Sequence, residues 1–464
     1  MWKEIIEIND FGTVIKVNRL ADELREGILN SGSKIKISGR AYYFSQNGDD
    51  GNDGLSPDTP LKTLKQISNI DFCPGDSVLL ERGSLFRGGI SIDKPGILLS
   101  AYGTGDKPKI YGSLRNYNRI SDWQETDVKD VYCCSETFEF DVGNIVFDEG
   151  RRHAFKQLVG NFGFNGRLSA LNSDLMMYYS DLDKKLYLCS KGGNPANRFN
   201  SIEICTFDAL ASIKADGITV DNICFKYGGG HAVCGSERKN VTVQNCEFGW
   251  IGGCVQFFDE EKGKYVRFGN AIEIYADVEN FTACYNYIYQ IYDAGITHQF
   301  FYDVSRKMSM TNCNYHHNLI EYCTYSIEYA LMKQSTDKDY SMKNITISDN
   351  IMRYAGYGFG DQRPDKENSA HIKSWDLENR SENFIVENNI IDEGKYDLIH
   401  IASAEGEWLP KLSGNTYIQN QGGSVGRYGV LPAQVYSYSQ TDEFLKSVEN
   451  STFHIIRVEN RKII

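Results

Sequence analysis

Gly217-Ile-Thr-Val-Asp-Asn222, Val241-Thr-Val-Gln-Asn-Cys246, Phe281-Thr-Ala-Cys-Tyr-Asn286, Cys313-Asn-Tyr-His-His-Asn318, Ile345-Thr-Ile-Ser-Asp-Asn350 and Phe384-Ile-Val-Glu-Asn-Asn389 are six versions of one phrase. Each is a short β-branched or aromatic run that ends at an Asn or beside one, followed by a second apolar run. From Asn222 the intervals are 24, 40, 32, 32 and 39 residues, and Asn415 and Asn420 follow. One coil of a parallel β-helix takes three short strands and three turns, roughly 20 to 25 residues, so the surplus in the longer intervals is looped out. A single coil cannot bury its own apolar face, whereas stacked coils build a continuous core. An Asn at a fixed place after the first strand suits a coil corner, because it tolerates left-handed backbone and can bond the Asn of the next coil. The pattern predicts an all-β solenoid, a parallel β-helix. The competing reading, six unrelated strand-turn units in a β-sandwich, calls for stricter alternation and gives no reason for the repeated Asn.

The rest of the chain agrees. A length of 464 residues allows two or three domains, but solenoids run long as one unit. Helical periodicity is scarce, while Gly (43), Tyr (29) and Phe (24) are abundant. The net charge of −13 argues against nucleic acid or an anionic membrane surface as partner. It also makes a polyanionic glycan a less natural substrate, unless one basic groove overrides the average. No run approaches 18 apolar residues, so no membrane span is expected. Met1 to Asp10 carries acids where an export signal needs a basic and then an apolar run. Of the twelve cysteines, Cys224, Cys246, Cys254, Cys284, Cys313 and Cys323 fall in or beside repeat strands, where a small apolar side chain packs on the next coil. No CxxC pair occurs, and the adjacent Cys133 and Cys134 suit neither a mutual disulfide nor a metal. Free thiols and the absent signal together point to a cytoplasmic protein.

Organisation follows in segments. Residues 1–40 hold an amphipathic helix around Val17 to Leu29, with Leu20, Leu24 and Ile28 on one face, and a basic strand from Lys34; such a segment would cap the solenoid's end. Residues 41–113 contain Ala41-Tyr-Tyr-Phe-Ser-Gln-Asn-Gly-Asp-Asp-Gly-Asn-Asp-Gly-Leu-Ser-Pro-Asp-Thr-Pro-Leu-Lys-Thr-Leu64, Pro74-Gly-Asp-Ser-Val-Leu-Leu-Glu-Arg-Gly-Ser-Leu-Phe-Arg-Gly88 and Ser100-Ala-Tyr-Gly-Thr-Gly-Asp-Lys-Pro-Lys-Ile110. Thr59 as N-cap and Pro60 at the first position, with Leu61, Leu64 and Ile67 on one face, read as a short helix. The acidic run from Asp49 reads as an ordinary turn, since it lacks the closing Glu of a calcium loop.

These three stretches together resemble the opening coils of right-handed parallel β-helix proteins of the pectate-lyase-like superfamily, bacterial carbohydrate-active members especially. The resemblance is close over 41–113, holds in pattern over 215–420, and implies the fold more strongly than the reaction. It implies that 114–205, where the coil rhythm breaks, is a β-rich insertion leaning over the solenoid, with a loop-decorated coil as the alternative. Residues 206–425 are then the main coils, and 426–464 a C-terminal cap with a helix at Thr441 to Val448 and a strand from Phe453 to Val458.

Ionisable residues interrupt the strand pattern most densely between 256 and 373. If Ile296, Ile327, Phe359 and Leu398 are equivalent core positions, Asp293, Thr297, His298, Glu328 and Asp361 gather on successive coils, with Glu273 in the same alternation. Coils stack about 4.8 Å apart, so carboxylates one or two coils apart bracket the separations used by retaining and inverting glycosidases. The candidate catalytic residues are Asp293, Glu328, Glu273 and Asp361. Candidate substrate contacts are His298, His371, Arg363, Lys373 and the aromatic platforms Tyr292, Tyr329 and Trp375, with Trp408 also considered. Each has a plain structural alternative: a turn former, a solvated strand face, a satisfied core histidine, or one of 29 tyrosines.

Three readings stand at this point. A glycoside hydrolase acting on oligosaccharides would need two facing carboxylates and no metal; without an export signal, exo action on imported oligosaccharides is the natural form. A polysaccharide lyase or uronate epimerase would need a cation, Ca²⁺ or basic side chains, to neutralise the uronate, and Lys373, Arg363 and His371 are available. A non-catalytic glycan-binding or virion-associated solenoid would show an aromatic groove without paired carboxylates.

Overall fold

The computed structural model describes residues 10–206, 209–300, 308–332 and 341–456. The acidic segment 1–9 and the end of the expected last strand, Arg457 and Val458, lie outside the described residues. Three ten-stranded sheets make up the body. From Leu98 to Val430, apart from the strands inserted at 114–205 and 254–268, the chain visits the first, second and third sheet in turn, each new strand pairing in parallel with the equivalent strand of the previous coil. This is the parallel β-helix that the repeats predict.

Register follows from the apolar rows. In the third sheet Ile272, Ile296, Ile327, Ile372 and Ile399 pair in sequence and are all fully buried. Because side chains alternate along a strand, this row fixes the outward row beside it: Glu273, Thr297, Glu328, Lys373 and His400, extended to Arg427. Phe359 and Leu398 are not members of the Ile row. The strand of Phe359's coil is Ala370–Ser374, and Leu398 sits one residue early.

The Asn positions do stack. Each of Asn318, Asn350, Asn389 and Asn415 accepts, at 2.9–3.0 Å, from both the backbone N–H and the side-chain amide of the Asn one coil before. Left-handed backbone was expected at these Asn residues themselves. Past Asn222 it falls one residue earlier, on Asn245, Tyr285, His317, Asp349 and Asn388 (φ 52° to 55°), which turns the amides inward to bond along the stack. A second, exposed ladder runs through Asn240, Asn280, Asn312, Asn344 and Asn383 at another corner, and there the Asn residues are left-handed.

The N-terminal helix, Asp10–Leu29, does not cover the solenoid's end. It lies along the outer side of the second sheet, burying Val14, Val17, Ala21 and Ile28 against Leu319, Ile351, Ile390 and Ile418. At about 1.5 Å per residue it is about 30 Å long, enough to cross six strands at about 4.8 Å spacing; Leu20 and Leu24 are only partly buried. Lys34 to Ile37 is irregular. The short helix near residue 60 is a 3₁₀ turn, Leu64–Asn69, preceded by Thr63, whose hydroxyl donates to Asp50 rather than capping the turn, and it places Leu64 and Ile67 in the core. At the other end Phe444, in the helix Thr441–Leu445, packs on Tyr417 and Tyr436, and Thr452–Ile456 joins the second sheet. None of the twelve cysteines, all within the described residues, is in a disulfide.

Interruptions gather at one corner, between the second and third sheets. Residues 114–205 leave the solenoid there and form a five-stranded and a three-stranded sheet around a core that includes Trp123, Phe147, Met177 and Leu188. The hairpin Cys254–Asp259 with Lys264–Phe268 and the segment 356–369 emerge from the same corner. The first of these touches the other two: Lys156 N–H donates to Gln362 at 3.0 Å, and Val255 N–H donates to Asp141 at 2.6 Å. Together they form a wall along one edge of the third sheet.

Candidate active site on the third sheet

The outward row beside that wall carries the chemistry. Glu273 and Glu328 stand on strands separated by the one holding Thr297, so their backbones are about 9.6 Å apart. Asp293 lies at the corner just before the strand Ala294–Phe300, and its carbonyl accepts from Tyr325 N–H at 3.1 Å. Arg363, from the wall, donates to Asp293 Oδ1 at 2.7 Å and to Asp365 at 3.1 Å. Its guanidinium also lies over the rings of Tyr292 and Tyr325.

Glu328 is only 4% exposed. Trp375 Nε1 donates to its Oε1 at 2.6 Å, and Thr297 Oγ1 is 3.5 Å from its Oε2. Burial first, and the negative charge of Asp293 second, push its carboxyl up to about 8, against the smaller opposing pull of the Trp375 bond. Burial moves Asp293 upward as well, but Arg363 opposes that shift directly. The two differ in their partners: Asp293 is bonded by a guanidinium, whereas Glu328 has the Trp375 N–H as its donor. Glu273 is held by Asn270 Nδ2 at 2.5 Å and lies 3.3 Å from His231 Nδ1. Beyond it, an open trough of about 620 Å³ continues over earlier coils past His231, Cys234 and Ser212.

On the other side of Glu328, Lys373 Nζ donates to His400 Nδ1 at 2.7 Å, and His400 Nε2 in turn bonds Asp376 at 2.7 Å. Burial lowers Lys373 to about 8 and His400 to about 4. The Lys373 ammonium also sits 4.7 Å from the Trp375 ring.

Several expected site residues lie elsewhere. His298 faces the core, where Nδ1 bonds the Tyr315 hydroxyl, and burial drives it down to about 3. His371 is likewise inward, with Nδ1 2.9 Å from Ser326 Oγ, and falls to about 4. Tyr329 packs inward on Phe384. Tyr292 is buried between the Arg267 and Arg363 guanidiniums, 4.2 and 5.3 Å from its ring centre, so it offers no open face to a sugar. Asp361 turns away to Lys395 at 2.6 Å and Lys366 at 3.2 Å. It entered the candidate set through the misplaced Phe359. Trp408 carries Arg380 over its ring. What remains together is Asp293, Glu328, Glu273, Arg363, Lys373 and Trp375. Tyr325, Asn270, His231 and His400 join them unanticipated. His400 and Arg427 follow Lys373 at steps of 27 residues, a spacing that could have drawn attention to them.

Among the described residues no group of three or more His, Cys, Asp or Glu side chains is arranged to hold a metal ion, and no helix is long and apolar enough to cross a membrane.

No protein-family model matches the chain. Over 83 residues it is 43% identical to the lacto-N-biosidase of Bifidobacterium longum subsp. longum, a match that covers 16% of this chain and 5% of that protein. Among solved structures it is similar to the GH136 lacto-N-biosidase of Eubacterium ramulus, with a TM-score of 0.43 and 14% identity, covering 95% of this chain and 69% of that one. A structure described as a glycoside hydrolase gives a TM-score of 0.44 at 10% identity, covering 90% of this chain and 96% of the other.

Proposed function

We propose that this protein is a carbohydrate-active enzyme, a glycoside hydrolase in which Glu328 is the general acid and Asp293 its ionised partner. The observation that carries this reading is the unlike company of two neighbouring carboxyls: Glu328, buried with the Trp375 N–H on it and pushed up to about 8, and Asp293, bonded by Arg363. Environments that push two acids apart are how one site supplies both an acid and a base or nucleophile at neutral pH. The short stretch of identity with a lacto-N-biosidase supports a glycan substrate.

In this reading the glycosidic oxygen sits against Glu328, which gives up its proton as the bond breaks. Burial makes the resulting carboxylate costly, and the Trp375 N–H offsets part of that cost. Asp293, held by Arg363, faces the positive charge that builds on the sugar. Glu273, with Asn270 and His231 on its carboxylate, holds the sugar where the trough begins.

The test is release of sugar from a panel of aryl glycosides and oligosaccharides, with and without EDTA, by the unaltered protein, Asp293→Asn and Glu328→Gln. Sugar release that survives EDTA and that both substitutions reduce at least 100-fold is the expected result. Formation of an unsaturated product absorbing near 235 nm, or retention of activity by either variant, would overturn it. The configuration of the first-formed sugar then separates direct attack by Asp293 from attack by water.

A further inference from the structure

Tyr325 carries a hydroxyl at this site that the protein leaves idle. It opens the strand Tyr325–Leu331, pairs with Ala294 on one side and Ala370 on the other, and is fully buried. The ring is fixed by the Arg363 guanidinium, 5.5 Å from its centre, and by the edge of Trp375 at 6.2 Å. Its hydroxyl is buried and has no hydrogen-bond partner. A buried donor left unpaired is costly and calls for an explanation. Tyr329 and Tyr417 also have idle hydroxyls, but these lie in the solenoid core, and that of Tyr117 lies in the core of the 114–205 segment. Tyr325 differs in its company: Asp293, Glu328, Arg363 and Asp365 all act on its phenol.

We infer that the Tyr325 hydroxyl donates a hydrogen bond to the substrate hydroxyl on the carbon next to the reacting carbon, and so sets which sugars are accepted. This rests on the glycoside hydrolase reading. The reacting carbon would lie between Glu328 and Asp293. Tyr325 is three residues before Glu328 on its strand and bonds the Asp293 carbonyl through its own N–H, so its ring is anchored between the two proposed acids, and the ring substituent beside the reacting carbon is the group we assign to it. A hydrogen bond there strengthens as positive charge builds on the ring. Burial and the surrounding carboxylates hold the phenol well above its ordinary range, so it is a donor at every working pH. A site built to bond a hydroxyl rejects the analogue that lacks it, because its own donor is then stranded.

The experiment pairs Tyr325→Phe with matched aryl glycosides that have or lack the 2-hydroxyl. On the parent sugar the substitution is expected to lower kcat/KM about 100-fold; on the 2-deoxy sugar, already poor for the unaltered protein, it adds no further loss. The melting temperature of the variant stays level or rises, since an unpaired buried group has been removed. An equal loss on both sugars, or no loss on the parent, would overturn the inference. If no glycoside is cleaved, the hydrolase reading fails separately, and the same sugars are compared by calorimetry. A preference for the hydroxylated sugar that Tyr325→Phe erases then supports the inference; no binding, or no preference, sinks it.

Discussion

Replacing Glu328 by Gln should make the protein more stable at pH 8 while removing its activity. In the folded protein Glu328 keeps its proton up to about pH 8, whereas its ordinary value is 4.5. Between those limits the folded state binds a proton that the unfolded chain has released, so stability falls as pH rises, by about 1.4 kcal/mol per pH unit. Sharing the site with Asp293 trims the total, and the penalty accumulated by pH 8 is roughly 3–5 kcal/mol. Gln keeps the shape and still accepts from Trp375, but has nothing to ionise. For a chain of 464 residues about 1 kcal/mol moves the midpoint by about 1 °C. Thermal melts should therefore separate the variant from the parent by roughly 3–5 °C at pH 8 and bring them together near pH 5. Activity should fall by about 10² to 10⁴. If the variant melts with the parent at both pH values, Glu328 is an ordinary carboxylate and its role as acid is lost with that result.

Five further outcomes follow from the same structure. Activity of the parent should decline above pH 8 as Glu328 ionises, and Trp375→Phe, by removing a bond to the carboxylate, should shift that alkaline limb upward in a pH profile of kcat/KM. Arg363→Gln strips Asp293 of its counter-charge, so the acidic limb should move to higher pH and activity drop about 100-fold; an unmoved limb would contradict the pairing. Asn350→Ala, inside the buried ladder, strands bonds on both neighbouring coils and should cost about 2–4 kcal/mol in urea unfolding. Asn312→Ala, in the exposed ladder, should cost at most about 1 kcal/mol, since water replaces what is lost.

The solenoid was legible because its two signals are local and repeated. From Asn286 to Asn415 the Asn positions sit at one corner of successive coils, and their amides must satisfy one another in a buried place, so the spacing survived insertions. Register was legible only where the apolar row was unbroken. Ile296 and Ile327 could be aligned, but in the coil with 356–369 a loop carries Phe359, whose surroundings imitate a strand residue. Aligning on Phe359 when the row member of that coil is Ile372 is how Asp361 entered the candidate set. His298, Tyr329 and His371 failed for another reason. Polar side chains are rare in cores, so a reading by residue type sends them outward, yet His298 finds Tyr315 and His371 finds Ser326 inside. Tyr325 carried no signal at all, because its importance lies in an unmade bond.

The placement of the site follows from the interruptions more than from the repeats. A bare solenoid face presents its outward row to water, where a glutamate between two strands would titrate normally. What changes Glu328 is the wall at the corner between the second and third sheets, which delivers Arg363 to Asp293 and fixes it through Gln362, itself bonded to Lys156 and Arg267. Trp375 closes over the same carboxyl from the far end of the neighbouring strand. The 40- and 39-residue intervals that break the sequence rhythm contain the hairpin and the 356–369 segment that build this enclosure. Regular coils supply a ruler of about 4.8 Å for spacing side chains, and irregular ones exclude the water that would otherwise equalise them. A buried Glu328 with a raised carboxyl beside an Arg363-paired Asp293 needs both, and that is why the acids gather where the repeat is most disturbed.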